Sequence, residues 1–115
     1  MHELSIAMGI VDAALEESNR RGGLQVSAVH LRLGALSGVV KDALLFSYEM
    51  ACQDTALQGS RLIVEDVPVV VFCAQCRQER ALPTIQSFAC PACGAPTRDI
   101  LQGKELEVIA LEVEE

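Results

Sequence analysis

Apolar residues near the start of the chain recur every three to four positions, a period typical of an amphipathic helix. Leu4, Met8, Val11 and Leu15 follow this period over residues 3 to about 21, with Ala7 and Ala14 beside them and polar residues on the opposite face. Two consecutive glycines come next and predict the end of the helix. We therefore predict a first helix that begins almost at the N-terminus.

Downstream, the period alternates between that of a strand and that of a helix. Val29, Leu31 and Leu33 alternate with polar residues and predict a strand over residues 26–34, whereas the apolar stripe of residues 41 to about 55 predicts a second helix. Further strands are predicted at 61–67, within 69–72, and at 104–114, the last with a change of phase near Ile109. The pattern predicts an α+β fold: a small, mostly antiparallel three-stranded sheet with two helices, plus an inserted domain.

Two Cys-x-x-Cys pairs dominate the inserted segment. Cys73 and Cys76 are separated by thirteen residues from Cys90 and Cys93, and Gly94 follows the second pair. Each pair can form a tight turn that directs two sulfurs at one ion, and this spacing is typical of a four-thiolate zinc site. A glycine after such a turn suits a left-handed backbone. We therefore predict that these four cysteines bind zinc and that the inserted domain is zinc-ribbon-like.

The role of that metal follows from its ligand number. Four thiolates leave no coordination position for water, so the spacing favours structural rather than catalytic zinc. A redox dithiol is the alternative for any single Cys-x-x-Cys, and a thiol-redox protein remains a competing hypothesis. Arg77 and Arg80 are the local positive charges, and we expect them to offset the thiolates.

The N-terminus offers a second set of metal donors. The chain begins Met1-His2-Glu3. The α-amine of Met1, the backbone nitrogen of His2 and its imidazole can chelate one ion in a plane, and Glu3 can add an oxygen or orient the site. Planar nitrogen donors suit Ni²⁺ or Cu²⁺ better than zinc. A solvated terminal histidine without any metal is the alternative.

Composition excludes several classes of protein. The net charge of −7 argues against nucleic-acid binding, which needs a basic face. Five cysteines, four of them in metal spacing, favour a reducing compartment, and we expect no signal peptide, no membrane span and a cytoplasmic location. No catalytic motif argues for an enzyme.

We expect His30 to be a sheet-face histidine and Cys52 a small core residue. The acidic residues near the C-terminus predict a solvated strand edge: Glu105, Glu107, Glu112, Glu114 and Glu115.

These features together resemble the HypA/HybF family of nickel metallochaperones of [NiFe]-hydrogenase maturation. The resemblance covers essentially the whole chain. It is carried by the Met1–Ser5 start, the Gly34–Val40 loop, both cysteine pairs, Gln102-Gly103 and the Glu-rich last strand.

The resemblance implies a nickel-binding α/β domain, which we place in residues 1–68 and 100–115, and a zinc domain in 69–99. It implies that His2 is the key nickel ligand, with Met1 and Glu3 contributing. It implies as partners the nickel-binding GTPase HypB, the hydrogenase large-subunit precursor and, in some members, urease maturation factors. We expect a monomer or a weak homodimer.

One departure concerns the nickel ligands. Some family members use an acidic residue before the second helix, where this chain has Val40, and Asp42 nearby is not a match. The fourth nickel ligand is therefore not assigned, and the alternatives are Glu3, a second backbone nitrogen, water and a partner residue. The alternative function is a zinc-ribbon protein-interaction adaptor without its own nickel site.

Overall fold

A computed structural model describes residues 2–114 of the chain. Its elements, in chain order, are α1 (Glu3–Arg20), β1 (Gln25–Gly34), α2 (Lys41–Cys52), β2 (Arg61–Val67), β3 (Val70–Cys73), β4 (Gln78–Ala81), β5 (Asp99–Gln102) and β6 (Leu106–Glu114). The strands form two three-stranded sheets, of order β2-β1-β6 and β4-β3-β5. The predicted α+β class with two helices is confirmed. Within residues 2–114, no helix is long and apolar enough to cross a membrane.

Contacts between Cα atoms divide the chain into two compact units. The first takes the residues up to 31, residues 39–65 and those from 107 onward, and the second takes residues 32–38 and 66–106. The chain therefore passes between the units four times, and neither unit is one continuous segment.

The buried face of α1 in the first unit differs from the predicted stripe. Leu4 and Met8 are 43% and 53% exposed, whereas Ala7 and Ala14 are almost fully buried. Small side chains let a helix approach its neighbours closely, so the alanines lie at the contact and the longer side chains point outward. The helical period was predicted correctly, and Val11 and Leu15 of the predicted stripe do pack in the core, but the placement of Leu4 and Met8 there was wrong.

The core of the first unit is aliphatic around one buried tyrosine. Leu44, Tyr48 and Cys52 of α2 are at most 2% exposed, as their predicted apolar stripe requires. They pack in a cluster with buried residues of α1, β1 and β2, which include Ile10, Val11, Val26, Val29, Leu31 and Leu62. α2 ends three residues earlier than predicted, because Gln53 leaves the helical region with ψ 136° and Asp54 then adopts φ +61°.

The last strand, β6, is exposed along most of its length. It begins two residues later than predicted and lies at one end of its sheet. Val108, Ile109 and Val113 are about 40% exposed, and only Leu111 is half-buried and packs against the core. The many aliphatic residues of this strand therefore do not mean that it is buried.

The second unit is a short antiparallel sheet over a small core. β3 is central, with Val71 opposite Arg80 of β4 and opposite Ile100 of β5. Val69, Val71 and Leu82 are buried together, and Leu36, Phe88 and Ile100 pack around them. So small a core supplies little stability without a further crosslink, and the four cysteines lie in this unit.

Candidate metal centre and N-terminal site

The first cysteine pair closes a tight turn at the end of β3. Cys73 is the last residue of that strand, and its carbonyl accepts a hydrogen bond from the Arg77 N–H at 2.7 Å. The Cys76 N–H donates to the Cys73 sulfur at 3.4 Å. Arg77 takes a left-handed backbone with φ +56°. The turn thus directs both sulfurs to one side, and it does so with an arginine where a glycine would be unstrained.

The second pair repeats this geometry. The Gly94 N–H donates to the Cys90 carbonyl at 2.8 Å, and Gly94 has φ +77°, which confirms its predicted left-handed role. The Cys90 N–H is held by the Ala95 carbonyl at 2.8 Å. A buried threonine, Thr97, closes the base of this turn by donating its N–H and its hydroxyl to the Phe88 carbonyl. Two matching turns therefore present four sulfurs.

The structure brings these four sulfurs together in one cluster. All four Sγ atoms lie within 4.8 Å of one another. The Cys73–Cys93 separation is 3.6 Å and the Cys76–Cys90 separation is 3.9 Å. A regular tetrahedron with metal–sulfur bonds of about 2.3 Å has sulfur–sulfur edges of about 3.8 Å. These separations fit a tetrahedral ion, and they far exceed the ~2.05 Å of a disulfide bond.

Burial and electrostatics differ between the sulfurs. Cys73 and Cys90 are buried, Cys76 is half-buried and Cys93 is exposed. The Cys93 N–H lowers the pKa of the Cys90 thiol to about 6. The Ala95 N–H favours the Cys93 thiolate, but lost hydration and the neighbouring sulfurs outweigh it and raise the pKa of Cys93 to about 12. Four thiols this close cannot all ionise alone, so the cluster needs a cation to hold them as thiolates.

The N-terminal residues lie at the first turn of α1. His2 is exposed and is the N-cap residue, and its carbonyl accepts the Ile6 N–H at 3.2 Å. Glu3 Oε2 accepts a hydrogen bond from the Val40 N–H at 3.1 Å. That bond, followed by the N–H of Glu3 itself, lowers the pKa of the Glu3 carboxyl. Met1, the other predicted nickel ligand, lies outside the described residues.

Sequence reasoning missed the partner of Glu3. Val40 is the N-cap residue of α2, and its side chain makes no capping hydrogen bond. In a capping box, a Glu three residues into the helix binds the N-cap N–H, but this helix has Ala43 there. An apolar N-cap without such a partner is the signal that an acceptor must come from elsewhere.

The remaining candidate residues are not members of the metal cluster. His30 Nε2 lies 2.8 Å from Glu112 Oε1, a cross-strand pair between neighbouring strands β1 and β6. Cys52 is buried in the core, as expected. Asp42 is an exposed residue in the first turn of α2, where its charge suits the helix dipole. Among the described residues, the cysteine cluster is the one group arranged to hold a metal ion.

The fold and the four-sulfur cluster define a small α+β metalloprotein built from two compact units. A family model described as HypA, hydrogenase/urease nickel incorporation, metallochaperone, matches residues 1–113. The chain belongs to the HypA family.

Relatives and solved structures agree with this assignment. The chain is 50% identical to the hydrogenase maturation factor HypA of Roseiflexus sp. (strain RS-1) over 115 residues, which is all of this chain and 94% of that one. It is 52% identical to that of Chloroflexus aurantiacus over 112 residues, 97% of this chain and 98% of the relative. The solution structure of the Ni metallochaperone HypA from Helicobacter pylori matches with a TM-score of 0.66 at 20% identity, over 98% of this chain and 97% of that one. At that identity the structural match concerns the fold.

Proposed function

We propose that the chain binds Ni²⁺ at its N-terminus and delivers it to the large subunit of a [NiFe]-hydrogenase, while the four cysteines hold a structural zinc ion. The observation that carries the nickel part is the exposed imidazole donor at the start of α1, with the carboxylate of the next residue fixed beside it. Membership of a nickel-incorporation family supports the choice of cargo.

The helix start leaves the nickel donors available. The carbonyl of His2 accepts a hydrogen bond within α1, but the first N–H groups of a helix have no partner inside it. The His2 amide nitrogen can therefore lose its proton and bind a metal without breaking the helix. With the imidazole and the amine of Met1 it completes a planar set of nitrogens that suits Ni²⁺.

Glu3 has a supporting part in this proposal. Its carboxylate is engaged by the Val40 N–H, which links the start of α1 to the start of α2. We propose that Glu3 fixes the direction of the chain at His2, and that the remaining coordination position is filled by water or by a partner residue during transfer. A carrier must also release its cargo, so an incomplete set of protein ligands serves this purpose.

Zinc is the metal that we assign to the cysteines. The two turns bring the sulfurs of Cys73, Cys76, Cys90 and Cys93 within 4.8 Å of one another, and four thiolates would fill the tetrahedral shell of a zinc ion. Such a site adds folding free energy to a unit with a small core of its own. The thiolates require a reducing compartment, and we propose that the protein acts in the cytoplasm.

The proposed partners are a HypB-type nickel GTPase, which supplies the ion, and the hydrogenase large-subunit precursor, which receives it; urease maturation factors are a further candidate. Transfer exchanges coordinate bonds only, so we assign the chain no enzymatic activity. Leu4 and Met8 project from α1 close to His2 in sequence and are substantially exposed. They offer a partner an apolar surface next to the proposed nickel site.

One experiment tests the nickel site directly. Nickel and zinc stoichiometry and nickel affinity are measured on the untagged protein, on His2→Ala, and on a variant with one residue added before Met1. The added residue moves the amine away and keeps the imidazole. We expect both variants to lose nickel binding and to retain zinc.

His30→Ala is the matched control, because His30 is paired with Glu112 on the sheet and has no role in the proposed site. It should bind nickel as the wild type does. Normal nickel binding by the extended variant would exclude the terminal chelate. Unchanged nickel binding and hydrogenase maturation with His2→Ala would favour the zinc-ribbon adaptor instead.

A further inference from the structure

The last strand leaves one edge of its sheet unpaired. β6 has nine residues and lies at the end of the β2-β1-β6 sheet, and no other strand of residues 2–114 pairs with its outer side. Along such an edge, alternate backbone N–H and C=O groups have no partner within the sheet. They can form hydrogen bonds with an extended chain that lies beside the strand.

A groove runs next to this edge, between β6 and the C-terminal half of α1. It consists of two open cavities of about 380 and 290 Å³ that share Glu17, Ala110 and Leu111 in their walls. Leu111 packs against the core, whereas Ile109 and Val113 also line the groove and are 44% and 41% exposed. Exposed aliphatic side chains along a groove favour an occupant that covers them with apolar side chains.

The order of residues in β6 separates apolar from acidic positions. From Ile109 to Glu114, the aliphatic residues 109, 111 and 113 alternate with positions that include Glu112 and Glu114. Side chains of a strand point alternately to its two faces, so the aliphatic side chains and these two glutamates lie on opposite faces. A strand added beside β6 would meet the groove with one face and carboxylates with the other.

The charge of the edge determines which extended chain fits. β6 contains three glutamates, Glu107, Glu112 and Glu114, and no lysine or arginine. A second copy paired through the same edge would bring two such sets of carboxylates together, and like charges on paired strands are destabilising. A basic strand would meet opposite charges instead. The glutamates therefore disfavour an identical chain and favour a basic one.

The helical side of the groove does not reverse this charge. Arg21, which lines the groove, is paired with Glu17 at 3.3 Å. Arg20 is paired with Glu17 at 3.0 Å and with Glu16 at 3.6 Å. Carboxylates of α1 thus compensate both arginines, and the glutamates of β6 set the charge that an incoming strand meets.

We propose that the outer edge of β6 docks an extended segment of a partner protein, in which basic residues alternate with apolar ones, as a fourth strand of this sheet. The inference goes beyond the proposed function and does not depend on the metal at either site. Backbone hydrogen bonds supply affinity for any extended chain, while the groove selects its apolar side chains and the glutamates select its basic ones.

The test uses the full-length, isotope-labelled protein and a synthetic peptide of nine residues, the length of β6, in which lysine and valine alternate. Binding is followed by NMR. We expect the amide shifts to concentrate in residues 106–114 and in the α1 residues that line the groove. Three comparison peptides should bind at least about tenfold more weakly: one with glutamate for lysine, one methylated at its backbone nitrogens, and one with the same residues at helical spacing.

Two pairs of variants distinguish this site from a general attraction of cations to an acidic protein. Glu114→Lys and Ile109→Gln should each weaken binding of the lysine–valine peptide by about three- to fivefold, the effect of one cross-strand pair. Glu49→Lys and Met50→Gln make the same changes at exposed positions of α2 and should bind as the wild type does.

Several results would overturn the proposal. These are no binding at about 1 mM peptide, shifts outside β6 and the groove, equal binding of the methylated peptide, and equal weakening by Glu49→Lys and Glu114→Lys. Equal binding of the peptide with helical spacing would show that the groove takes a helix. Sedimentation that showed a dimer of the wild type, with its amide shifts at residues 106–114, would make a second copy the occupant. Nickel affinity of the same variants should equal that of the wild type, so failure here is distinct from failure of the nickel site.

Discussion

The Glu3 carboxylate caps the backbone of Val40, with Oε2 accepting its N–H at 3.1 Å across 37 residues of chain. The contact joins the first turn of one helix to the N-cap of the next. Glu3 thus does for α2 what a capping-box glutamate does from within its own helix. It also fixes the residue that follows His2, so the proposed nickel site and the helix pair share one hydrogen bond.

Removing this bond should weaken nickel binding without abolishing it. Glu3→Ala is expected to lower nickel affinity by about tenfold, the lower end of the range for residues that orient a metal ligand. Glu3→Gln keeps an acceptor oxygen for the Val40 N–H and should lose less. Isothermal titration with Ni²⁺ measures both. If Glu3→Ala lost nickel binding as completely as His2→Ala, Glu3 would be a direct ligand and the orienting role would be wrong.

The same bond predicts a pH dependence of stability. Because the folded state lowers the pKa of Glu3 below its ordinary value of 4.5, the charged carboxylate stabilises the fold above that pH. The advantage of the wild type over Glu3→Gln should therefore be constant from neutral pH down to about 5 and shrink as the pH falls below 4.5. Thermal unfolding at pH 7 and pH 3.5 measures it. Asp12→Asn, which removes an exposed carboxylate of the same helix, is the control and should show a smaller change.

The left-handed residues of the two cysteine turns predict substitutions with opposite effects on stability, one stabilising and one destabilising. Arg77 and Gly94 hold equivalent left-handed positions, with φ +56° and +77°. A Cβ at such a position costs about 1–2 kcal/mol. Arg77→Gly should stabilise the zinc-loaded protein by about 1 kcal/mol, and Gly94→Ala should destabilise it by a similar amount.

Arg77→Ala is the control, because it removes the charged side chain and keeps the Cβ. Denaturant unfolding of the zinc-loaded chain compares the three variants. Equal stability of Arg77→Ala and Arg77→Gly would show that the arginine side chain, not backbone strain, sets the effect.

A close backbone contact makes Gly34 intolerant of any side chain. A Cβ there would overlap the backbone of Gly103, and the Gly34 N–H is bonded to the Glu105 carbonyl at 2.7 Å. Gly34→Ala should therefore cost about 1–3 kcal/mol, the usual range for overpacking. Gly9, in α1, has no atom within 4 Å of its would-be Cβ. Gly9→Ala should instead stabilise by up to about 1 kcal/mol through helix propensity. Thermal unfolding that gave both variants the same sign would contradict this assignment.

Features of this molecule that depend on neighbouring residues were predicted better from the sequence than features that depend on long-range contacts. The cysteine spacing predicted the four-sulfur cluster, because both turns are built from neighbouring residues. The same local reasoning predicted Gly94 but could not show that Arg77 adopts the equivalent backbone. Periodicity gave α1 its correct bounds, yet it assigned Leu4 and Met8 to the buried face because it weighs hydrophobicity and not side-chain size. The Glu3–Val40 bond depends on the packing of two helices. The uncapped start of α2 indicates that an acceptor is missing, but nothing in either segment identifies Glu3 as that acceptor.

The buried hydroxyl of Tyr48 provides the last prediction, for the core of the first unit. Tyr48 is 2% exposed, and its hydroxyl lies 2.7 Å from Ser60 Oγ. Burial raises the pKa of Tyr48, so the phenol stays neutral and the contact is a neutral hydrogen bond. Tyr48→Phe and Ser60→Ala should each cost about 1 kcal/mol, because each leaves the other oxygen without this hydrogen bond.

The double variant distinguishes the hydrogen bond from general packing. If the two oxygens stabilise each other, Tyr48→Phe with Ser60→Ala should cost less than the sum of the single changes, by about 0.5–1.5 kcal/mol. The Cys52 sulfur lies 3.8 Å from the same serine oxygen, so Cys52→Ala serves as the comparison for a weaker neighbour and should couple less strongly to Ser60→Ala. Urea unfolding of the zinc-loaded chain gives all these energies. Strict additivity of Tyr48→Phe and Ser60→Ala would mean that the buried pair contributes only through its shape.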